Sequence, residues 1–361
     1  MKMERIARLR ELLADRELDG VYIASPENRA YYSGFAGSNG HLLLTARHAV
    51  LITDPRYTEQ AEQEAPGWRI VTHGLDAMPT LRETLLAMGI VRIGYETNKL
   101  SDAEAARLRR DVPEAAWVPL EDYGLAHRAV KDEAEIGLIR RAVQIADRAI
   151  AKLVPRLAPG MTEREIQIEL EYLMAKEGSE GPAFGTIVAS GKRASLPHGS
   201  ATDKPIRGGE MVVVDFGAIC GGYRSDITRT LWVGVPEPDI LAIFHLVLRA
   251  LEAAIAAVRP GMTCGALDRV ARDVFAEARM EAFSLRGLGH GVGLHIHELP
   301  RVVMGADAII EPGMVFTVEP GLYVPDVGGV RIEDIVRVTD DGCEVLTRSP
   351  RLLQIHEGAG R

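Results

Sequence analysis

The sequence predicts an α+β protein with a small α/β domain at the N-terminus and a larger, internally duplicated α/β domain after it. Short apolar runs alternate with helix-like stretches up to about residue 125, a charged and poorly patterned stretch follows at 121–131, and matching segments recur beyond it. We place the boundary within residues 122–132, which divides the chain into domains 1–126 and 127–361.

The first domain reads as strands alternating with helices. The predicted strands are Val21–Ala24, His41–Leu44, Ala49–Thr53, Trp68–Val71 and Val91–Tyr95. The predicted helices are Glu4–Leu13, Arg56–Glu64 and Thr80–Met88. Beyond the boundary, apolar residues spaced by three and four predict one buried face of a long helix. These residues are Ile136, Ile139, Val143, Ala146, Ile150 and Leu153.

Two pairs of matching segments indicate the duplication. Pro159–Thr162 and Pro260–Thr263 both read PGMT and lie 101 residues apart, each after an amphipathic helix. Val213–Gly217 and Thr317–Gly321 lie 104 residues apart, and in both an apolar strand is followed by a carboxylate and then a glycine. Two pairs of matching segments, separated by nearly the same number of residues, predict two related helix–strand halves.

Composition excludes several classes of protein. The 361 residues are 47% hydrophobic, and 42 basic against 51 acidic side chains give a net charge of −9, which argues against a nucleic-acid partner. No apolar run has the length of a membrane span or the form of a signal peptide, so we expect a cytoplasmic protein with no membrane partner. Three unpatterned cysteines predict inert thiols without disulfides or a zinc finger: Cys220, Cys264 and Cys343.

Two aspartates mark a candidate site in the first half of the duplication. Asp215 ends an apolar run, where an ionised group needs a partner unless the strand end is exposed. Gly221-Gly222 predicts a two-residue hairpin turn, which sets Asp215 opposite Thr228 and Asp226 one diagonal step away, at about 7 Å. Carboxylates this close repel each other, so they need either a shared cation or solvent.

A second carboxylate pair lies in the other half. A hairpin centred near Asp326 would set Glu319 opposite Glu333, although the loop length is open. Arg331 shares a strand face with Glu333. The residues alone are compatible with a purely structural ion pair for this arginine.

The segment 289–298 contains three histidines. Glycines on both sides of His290 allow a close approach of the backbone and suit a metal ligand in a turn. Four carboxylates and one imidazole form an oxygen-rich set that suits Mn²⁺, Co²⁺ or Fe²⁺ better than a structural zinc site. The number of ligands fits two metals with bridging carboxylates, which predicts hydrolytic chemistry.

These residues resemble the pita-bread metallopeptidases, a group that includes methionine aminopeptidase, aminopeptidase P and prolidase. The resemblance rests on the spacing of Asp215 and Asp226 and on the segments GHGVGL, VEPG and RIED. The leading domain is similar to the creatinase/prolidase N-terminal domain in its segments 28–38 and 53–57. Because methionine aminopeptidases lack such a domain, the chain is most similar to the Xaa-Pro group, prolidase or aminopeptidase P.

The resemblance implies a role for each matching residue. Asp215 would bind the first metal, Asp226 and Glu333 would bridge, and His290 and Glu319 would bind the second. Glu319 would also accept a proton from the attacking water. The resemblance assigns catalytic but non-ligand roles to three further residues: His198, His297 and Arg331. The hydroxyl of Thr228 is expected to support the metal ligands without being one of them, and no role is assigned to His295.

The function implied is hydrolysis of the bond before proline, in Xaa-Pro dipeptides or at the N-terminus of Xaa-Pro peptides, with two divalent ions. Mn²⁺ is the first expectation, with Co²⁺, Fe²⁺ or Zn²⁺ as alternatives, and relatives with this N-terminal domain are commonly homodimers. A lyase, a creatinase-like hydrolase or a non-catalytic binding module on the same fold are the alternatives. Departures from the family pattern at Lys192-Arg193 and Leu285–Gly287 bear on substrate preference.

Overall fold

The computed structural model describes residues 2–121 and 123–355. The chain divides into two compact units, Met1–Arg128 and Ala129–Arg361. The first is an α/β unit with one six-stranded sheet, and the second is an α/β unit with two larger sheets and two short ribbons. Each unit has a hydrophobic core of its own.

The sheet of the first unit has the strand order β4-β3-β2-β1-β5-β6. Strand β2 runs antiparallel to both of its neighbours, whereas β1, β5 and β6 are parallel, as are β3 and β4. The helices are α1 Lys2–Asp15, α2 Pro26–Ser33, α3 Thr58–Glu64, α4 Ala77–Ala87, α5 Asp102–Asp111 and α6 Tyr123–Ala129. The strands are β1 Gly20–Ile23, β2 His41–Thr45, β3 Ala49–Thr53, β4 Arg69–Thr72, β5 Arg92–Glu96 and β6 Ala116–Leu120.

The five predicted strands and three predicted helices of this unit are present, but several elements were missed. Helix α2 begins after the N-cap Ser25 and ends at Gly34, whose φ of 88° stops it. Helix α5 carries a capping box between Ser101 and Glu104, a signal that its high polarity obscured. The stretch at 121–131, expected to be irregular, contains α6.

The second unit begins with the long predicted helix. Its helices are α7 Glu133–Leu153, α8 Glu163–Lys176, α9 Pro238–Ala257 and α10 Cys264–Glu277. Its first strands are β7 Ile187–Ser190, β8 Met211–Phe216, β9 Ile219–Cys220, β10 Tyr223–Arg224 and β11 Ile227–Val233. Those that follow are β12 Gly289–Gly291, β13 Glu298–Val302, β14 Val315–Val318, β15 Gly321–Val324, β16 Gly328–Arg331, β17 Asp334–Val338, β18 Cys343–Val345 and β19 Leu353–Ile355. All six apolar residues predicted to form one face of α7 are buried.

The predicted duplication is visible in equivalent elements. Each half opens with a long helix, α7 or α9, and then a proline-glycine turn in which Gly160 or Gly261 has a positive φ. Thr162 then caps α8 and Thr263 caps α10 through their side-chain oxygens. The first half leads to the sheet β19-β11-β8-β7 and the second to β13-β12-β14-β17-β18.

Helix α9 is unusually apolar. Among the described residues it alone is long and apolar enough, by length and composition, to cross a membrane. Its inward residues, including Phe244 and Val247, belong to the core of the second unit, and core helices of soluble proteins meet the same criterion. The three cysteines are free, and burial raises the pKa of Cys264 to about 11.

Two glycine substitutions should have opposite effects on stability. A Cβ at Gly217 would lie 2.0 Å from the carbonyl oxygen of Ser225, so Gly217→Ala should lower the free energy of unfolding by about 1–3 kcal/mol or more. Gly137 lies inside α7, and a Cβ added there would meet open space. Gly137→Ala should therefore raise the free energy of unfolding by about 0.4–1 kcal/mol. Urea denaturation measures both, and a stabilising Gly217→Ala would contradict the close approach.

Candidate metal centre

The first carboxylate pair lies on the hairpin that the sequence predicts. Strands β8 and β11 are antiparallel, and Asp215 is opposite Thr228. The chain reverses at Gly221 and Gly222, both with positive φ (57° and 76°), as a two-residue hairpin turn requires. Asp226 directly precedes β11, so both aspartates project from one end of the pair.

The second pair lies where two antiparallel ladders meet. Gly321 pairs with Arg331 in the β15–β16 ribbon, and Val318 pairs with Asp334 between β14 and β17. The two ladders share the same alignment of residues. Continuing that alignment through the residues between them places Glu319 opposite Glu333. The turn of the ribbon contains Asp326 at a φ of 62°, near the predicted centre.

His290 is held on the short strand β12 by close backbone contacts. A Cβ at Gly289 would lie 1.9 Å from the carbonyl oxygen of Thr317, and one at Gly291 would lie 2.1 Å from that of Leu299. Only glycine tolerates either approach. The backbone N–H of His290 donates to Oγ1 of Thr317 at 3.0 Å, which fixes the ligand strand against β14.

The five predicted ligands converge. Carboxylate oxygens of Asp215, Asp226 and Glu333 lie within 4.8 Å of one another, and all three residues are buried. Nε2 of His290 lies 3.5 Å from Oδ2 of Asp226 and 3.3 Å from Oε1 of Glu319. The structure therefore gathers four carboxylates and one imidazole in one place, from strands that are distant in the sequence.

The electrostatics of this cluster favour a cation. Burial, and then the charges of Glu333 and Asp215, raise the pKa of Asp226 well above its usual range. Burial, and then the charge of Glu319, raise the pKa of Glu333 in the same way. Within the described residues, the buried oxygens Oδ1 of Asp215 and Oε1 of Glu333 have no hydrogen-bond partner. Anionic oxygens without donors fit divalent cations, which prefer such hard ligands.

Arg331 is the main cationic neighbour of the cluster. Its guanidinium forms an ion pair with Asp215 and donates to Oγ1 of Thr228 at 3.0 Å. It also donates to the hydroxyl of Tyr323 at 2.7 Å and to the carbonyl oxygen of Pro197 at 3.1 Å. Thr228 in turn donates to Oε2 of Glu333 at 2.7 Å. The predicted ion pair of Arg331 therefore lies within the candidate site and orients its carboxylates.

The two non-ligand histidines differ in their placement. The ring centroid of His297 lies 4.4 Å from that of His290, and both histidines border a cavity of about 330 Å³ together with Glu319. The side chain of His198 is exposed, and no hydrogen bond or ring contact to the described part of the chain is formed by it. His198 follows Pro197, whose carbonyl oxygen contacts Arg331, so its loop reaches the site.

One of the departures from the family pattern holds the loop of His198. Arg193 forms an ion pair with the buried Glu163 and donates to the carbonyl oxygen of Ser200 at 2.7 Å. Glu163 also accepts the backbone N–H of Thr202 at 3.1 Å. Arg193 thus anchors both ends of the loop segment that contains His198.

Sequence reasoning missed three supporting residues. Thr317 donates to Oε1 of Glu319 at 3.0 Å, and strand alternation could have revealed it, since residues two apart share a face. Tyr323 and Arg229 carry no such local signal. Arg229 is fully buried and forms an ion pair with Asp334 at 2.8 Å, which joins β11 to the strand that follows Glu333.

Comparison with known proteins identifies the family. Residues 137–340 match the model of Metallopeptidase family M24, and residues 5–130 match the Creatinase/Prolidase N-terminal domain. The chain belongs to metallopeptidase family M24. Its fold is that of the pita-bread enzymes, with a creatinase-type N-terminal domain, as the sequence predicts.

Several relatives of this M24 chain match it over nearly its whole length. It is 37% identical to an Xaa-Pro dipeptidase of Pyrococcus furiosus, over 97% of this chain and 99% of that one. The structure of an Xaa-Pro dipeptidase from Bacillus anthracis superposes with a TM-score of 0.96 at 37% identity, covering 98% and 100% of the two chains. The structure of an X-Pro aminopeptidase from Thermotoga maritima superposes with a TM-score of 0.90 at 37% identity, covering 96% of this chain and 100% of that one.

Removing one buried carboxylate should separate metal binding from intrinsic stability. In the wild type, Mn²⁺ should raise the free energy of unfolding by about 2.7 kcal/mol when its free concentration is ~100 times its Kd. In Asp226→Asn and Glu333→Gln this gain should vanish, because a ligand is lost, while the metal-free protein should not be destabilised, because a repelling charge is removed.

Differential scanning calorimetry with Mn²⁺ and with chelator measures both effects, and metal analysis after dialysis gives the occupancy. Glu344→Gln, which alters an ion pair with Arg140, is the control and should retain the Mn²⁺ response. An undiminished Mn²⁺ response in Asp226→Asn would contradict the ligand assignment.

Proposed function

We propose that this chain hydrolyses the bond before proline in short Xaa-Pro peptides, dipeptides in the first place, with two divalent ions at the carboxylate cluster. The observation that carries the proposal is the convergence of Asp215, Asp226 and Glu333, two of whose buried oxygens have no hydrogen-bond donor in the described part of the chain. The names of the relatives support the substrate class, since they include Xaa-Pro dipeptidases and an X-Pro aminopeptidase.

Each ligand takes the role that its position supports. Asp215 would hold one ion, Asp226 and Glu333 would bridge, and His290 with Glu319 would hold the other. When bound, two such ions lower the pKa of water and stabilise negative charge on the carbonyl oxygen under attack. The oxygen-rich ligand set favours Mn²⁺, with Co²⁺, Fe²⁺ and Zn²⁺ as alternatives to be compared.

The remaining residues move a proton or stabilise charge. Glu319 borders the cavity and accepts a proton from the attacking water, the position that a general base requires. His297 lies beside His290 and donates to the oxygen that gains charge in the transition state. We assign the same role to His198, whose loop reaches Arg331 through the carbonyl oxygen of Pro197. Arg331 orients Asp215 through its ion pair.

The cavity beside the cluster favours a small substrate. Its volume of about 330 Å³ lies at the lower end of the range for small-molecule sites. Leu285 and Arg286, which depart from the family pattern, line it next to His290 and His297. We propose that these two side chains influence which residue is accepted before proline.

We also propose that the protein is cytoplasmic and forms a homodimer. Light scattering measures the oligomeric state.

The substrate class is tested with an equimolar mixture of Ala-Pro and Ala-Pro-Ala. Protein loaded with Mn²⁺ should release alanine from Ala-Pro, and a chelated sample should release none. Ala-Gly is the matched dipeptide without proline and should be cleaved more slowly. Preferred cleavage of the tripeptide would indicate an aminopeptidase instead. Cleavage of neither proline peptide with both ions bound would refute the proposal and favour a lyase, a creatinase-like hydrolase or a binding module.

His297→Ala should lose rate but not metal. Its imidazole borders the cavity without belonging to the carboxylate cluster, so the occupancy of Mn²⁺ should remain that of the wild type. Loss of a donor to the developing oxyanion should lower kcat by about 10²–10³-fold. Steady-state kinetics on Ala-Pro with parallel metal analysis decides this, and full turnover in the variant would remove His297 from the mechanism.

A further inference from the structure

The loop that carries His297 has no helix or strand of its own. Residues 292–297 connect β12 to β13 and form a series of bends. The backbone N–H of Arg224 donates to the carbonyl oxygen of Gly293 at 2.9 Å, and the N–H of Gly293 donates to that of His295 at 3.1 Å. A catalytic side chain on such a loop needs further contacts to hold it in place.

A buried ion pair lies at the end of this loop. Nζ of Lys131 is 3.4 Å from Oε2 of Glu298, and each side chain is only 1% exposed. Lys131 is itself fixed, since its ammonium donates to the carbonyl oxygen of Ala129 at 3.3 Å and its backbone N–H to that of Gly313 at 3.0 Å. Burying two charges is costly, so a fold that retains such a pair gains little net stability from it.

The carboxylate of Glu298 reaches back into the loop. Its Oε1 accepts the backbone N–H of His295 at 3.1 Å. A Cβ at Gly293 would lie 2.4 Å from Oε2, so glycine is required at this position for the carboxylate to lie against the loop. Glu298 therefore fixes the backbone on both sides of Leu294.

His295 connects Glu298 to the backbone of His297. The backbone N–H of His297 donates to Nδ1 of His295 at 3.2 Å, so the His295 side chain supports the backbone of the catalytic histidine. Nδ1 of His295 also lies 3.2 Å from the carbonyl oxygen of His297, so the ring contacts the backbone of His297 in either tautomer. His295, for which sequence reasoning found no role, thus lies between Glu298 and His297.

We propose that Glu298, held by Lys131, is a positioning residue that orients His297 through His295. The proposal rests on the proposed function, in which His297 acts on the carbonyl under attack. It differs from a purely stabilising role, because it requires the hydrogen bond to His295 and not only the pairing of two charges.

Two double variants separate the hydrogen bond from the charges. Lys131→Met/Glu298→Gln removes both charges but keeps an oxygen that accepts the N–H of His295. Lys131→Met/Glu298→Leu removes both charges and the acceptor. Neither leaves one member of this pair charged without the other, so the two variants differ in the acceptor at position 298. His295→Phe breaks the next contact while the ion pair stays intact, and it serves if the leucine variant does not fold.

The first measurement does not depend on catalysis. Hydrogen–deuterium exchange of metal-free protein reports the amides of segment 293–298. We expect exchange there to rise by about 10-fold or more in the leucine double variant and to stay near the wild-type rate in the glutamine double variant. Unchanged exchange in the leucine variant would overturn the proposal, whether or not the wild type cleaves Xaa-Pro peptides.

The second measurement uses Mn²⁺-loaded protein and Ala-Pro. Lys131→Met/Glu298→Leu and His295→Phe should lower kcat by about 10–100-fold with KM and Mn²⁺ occupancy unchanged, because His297 is displaced. Lys131→Met/Glu298→Gln should restore most of kcat. Glu344→Gln, which alters an ion pair with Arg140 whose two residues do not line the cavity, is the control and should leave kcat unchanged. An equal loss of kcat in both double variants would mean that the pair only stabilises the fold.

Discussion

The second unit concentrates negative charge in a place that is shielded from water. Asp215, Asp226 and Glu333 are buried with oxygens within 4.8 Å of one another, and each raises the electrostatic cost of the others. Coulomb repulsion grows as the local dielectric constant falls, so such a cluster persists only where cations and donors compensate it. Arg331 and Thr228 supply part of that compensation, and two buried oxygens that find no donor among the described residues leave room for the divalent ions that we propose.

The duplicated architecture explains how the charges are brought together. Each half delivers carboxylates from an antiparallel pair, β8–β11 in one and β14–β17 with its ribbon in the other. Arg229 joins the two halves, because it pairs with Asp334 and donates to carbonyl oxygens on both sides, including that of Ser349 at 3.0 Å. A rigid scaffold of this kind lets short loops, such as the one carrying His297, present side chains with little conformational freedom.

Local patterns predicted most of the fold correctly. The buried face of α7 follows from its spacing of three and four, and the register of Asp215 with Thr228 follows from the turn at Gly221-Gly222. The same approach missed α2 and α5, because both are polar and their only strong signals are their caps. Amphipathic periodicity is weak in both helices, because most of the residues that α2 buries are polar and α5 buries only Ala105 and Leu108, so the caps are the better guide there.

The sequence by itself determined which residue types are available for a metal centre, how they are spaced, and on which strand face each lies. These are local properties, because turn chemistry and the alternation of a strand act over a few residues. Only the tertiary structure decided other pairings of distant groups: the pair of Arg229 with Asp334 and the pair of Lys131 with Glu298. Such contacts form when whole strands and helices pack against each other. Their partners are therefore set by the geometry of the assembled unit and not by any neighbouring residue.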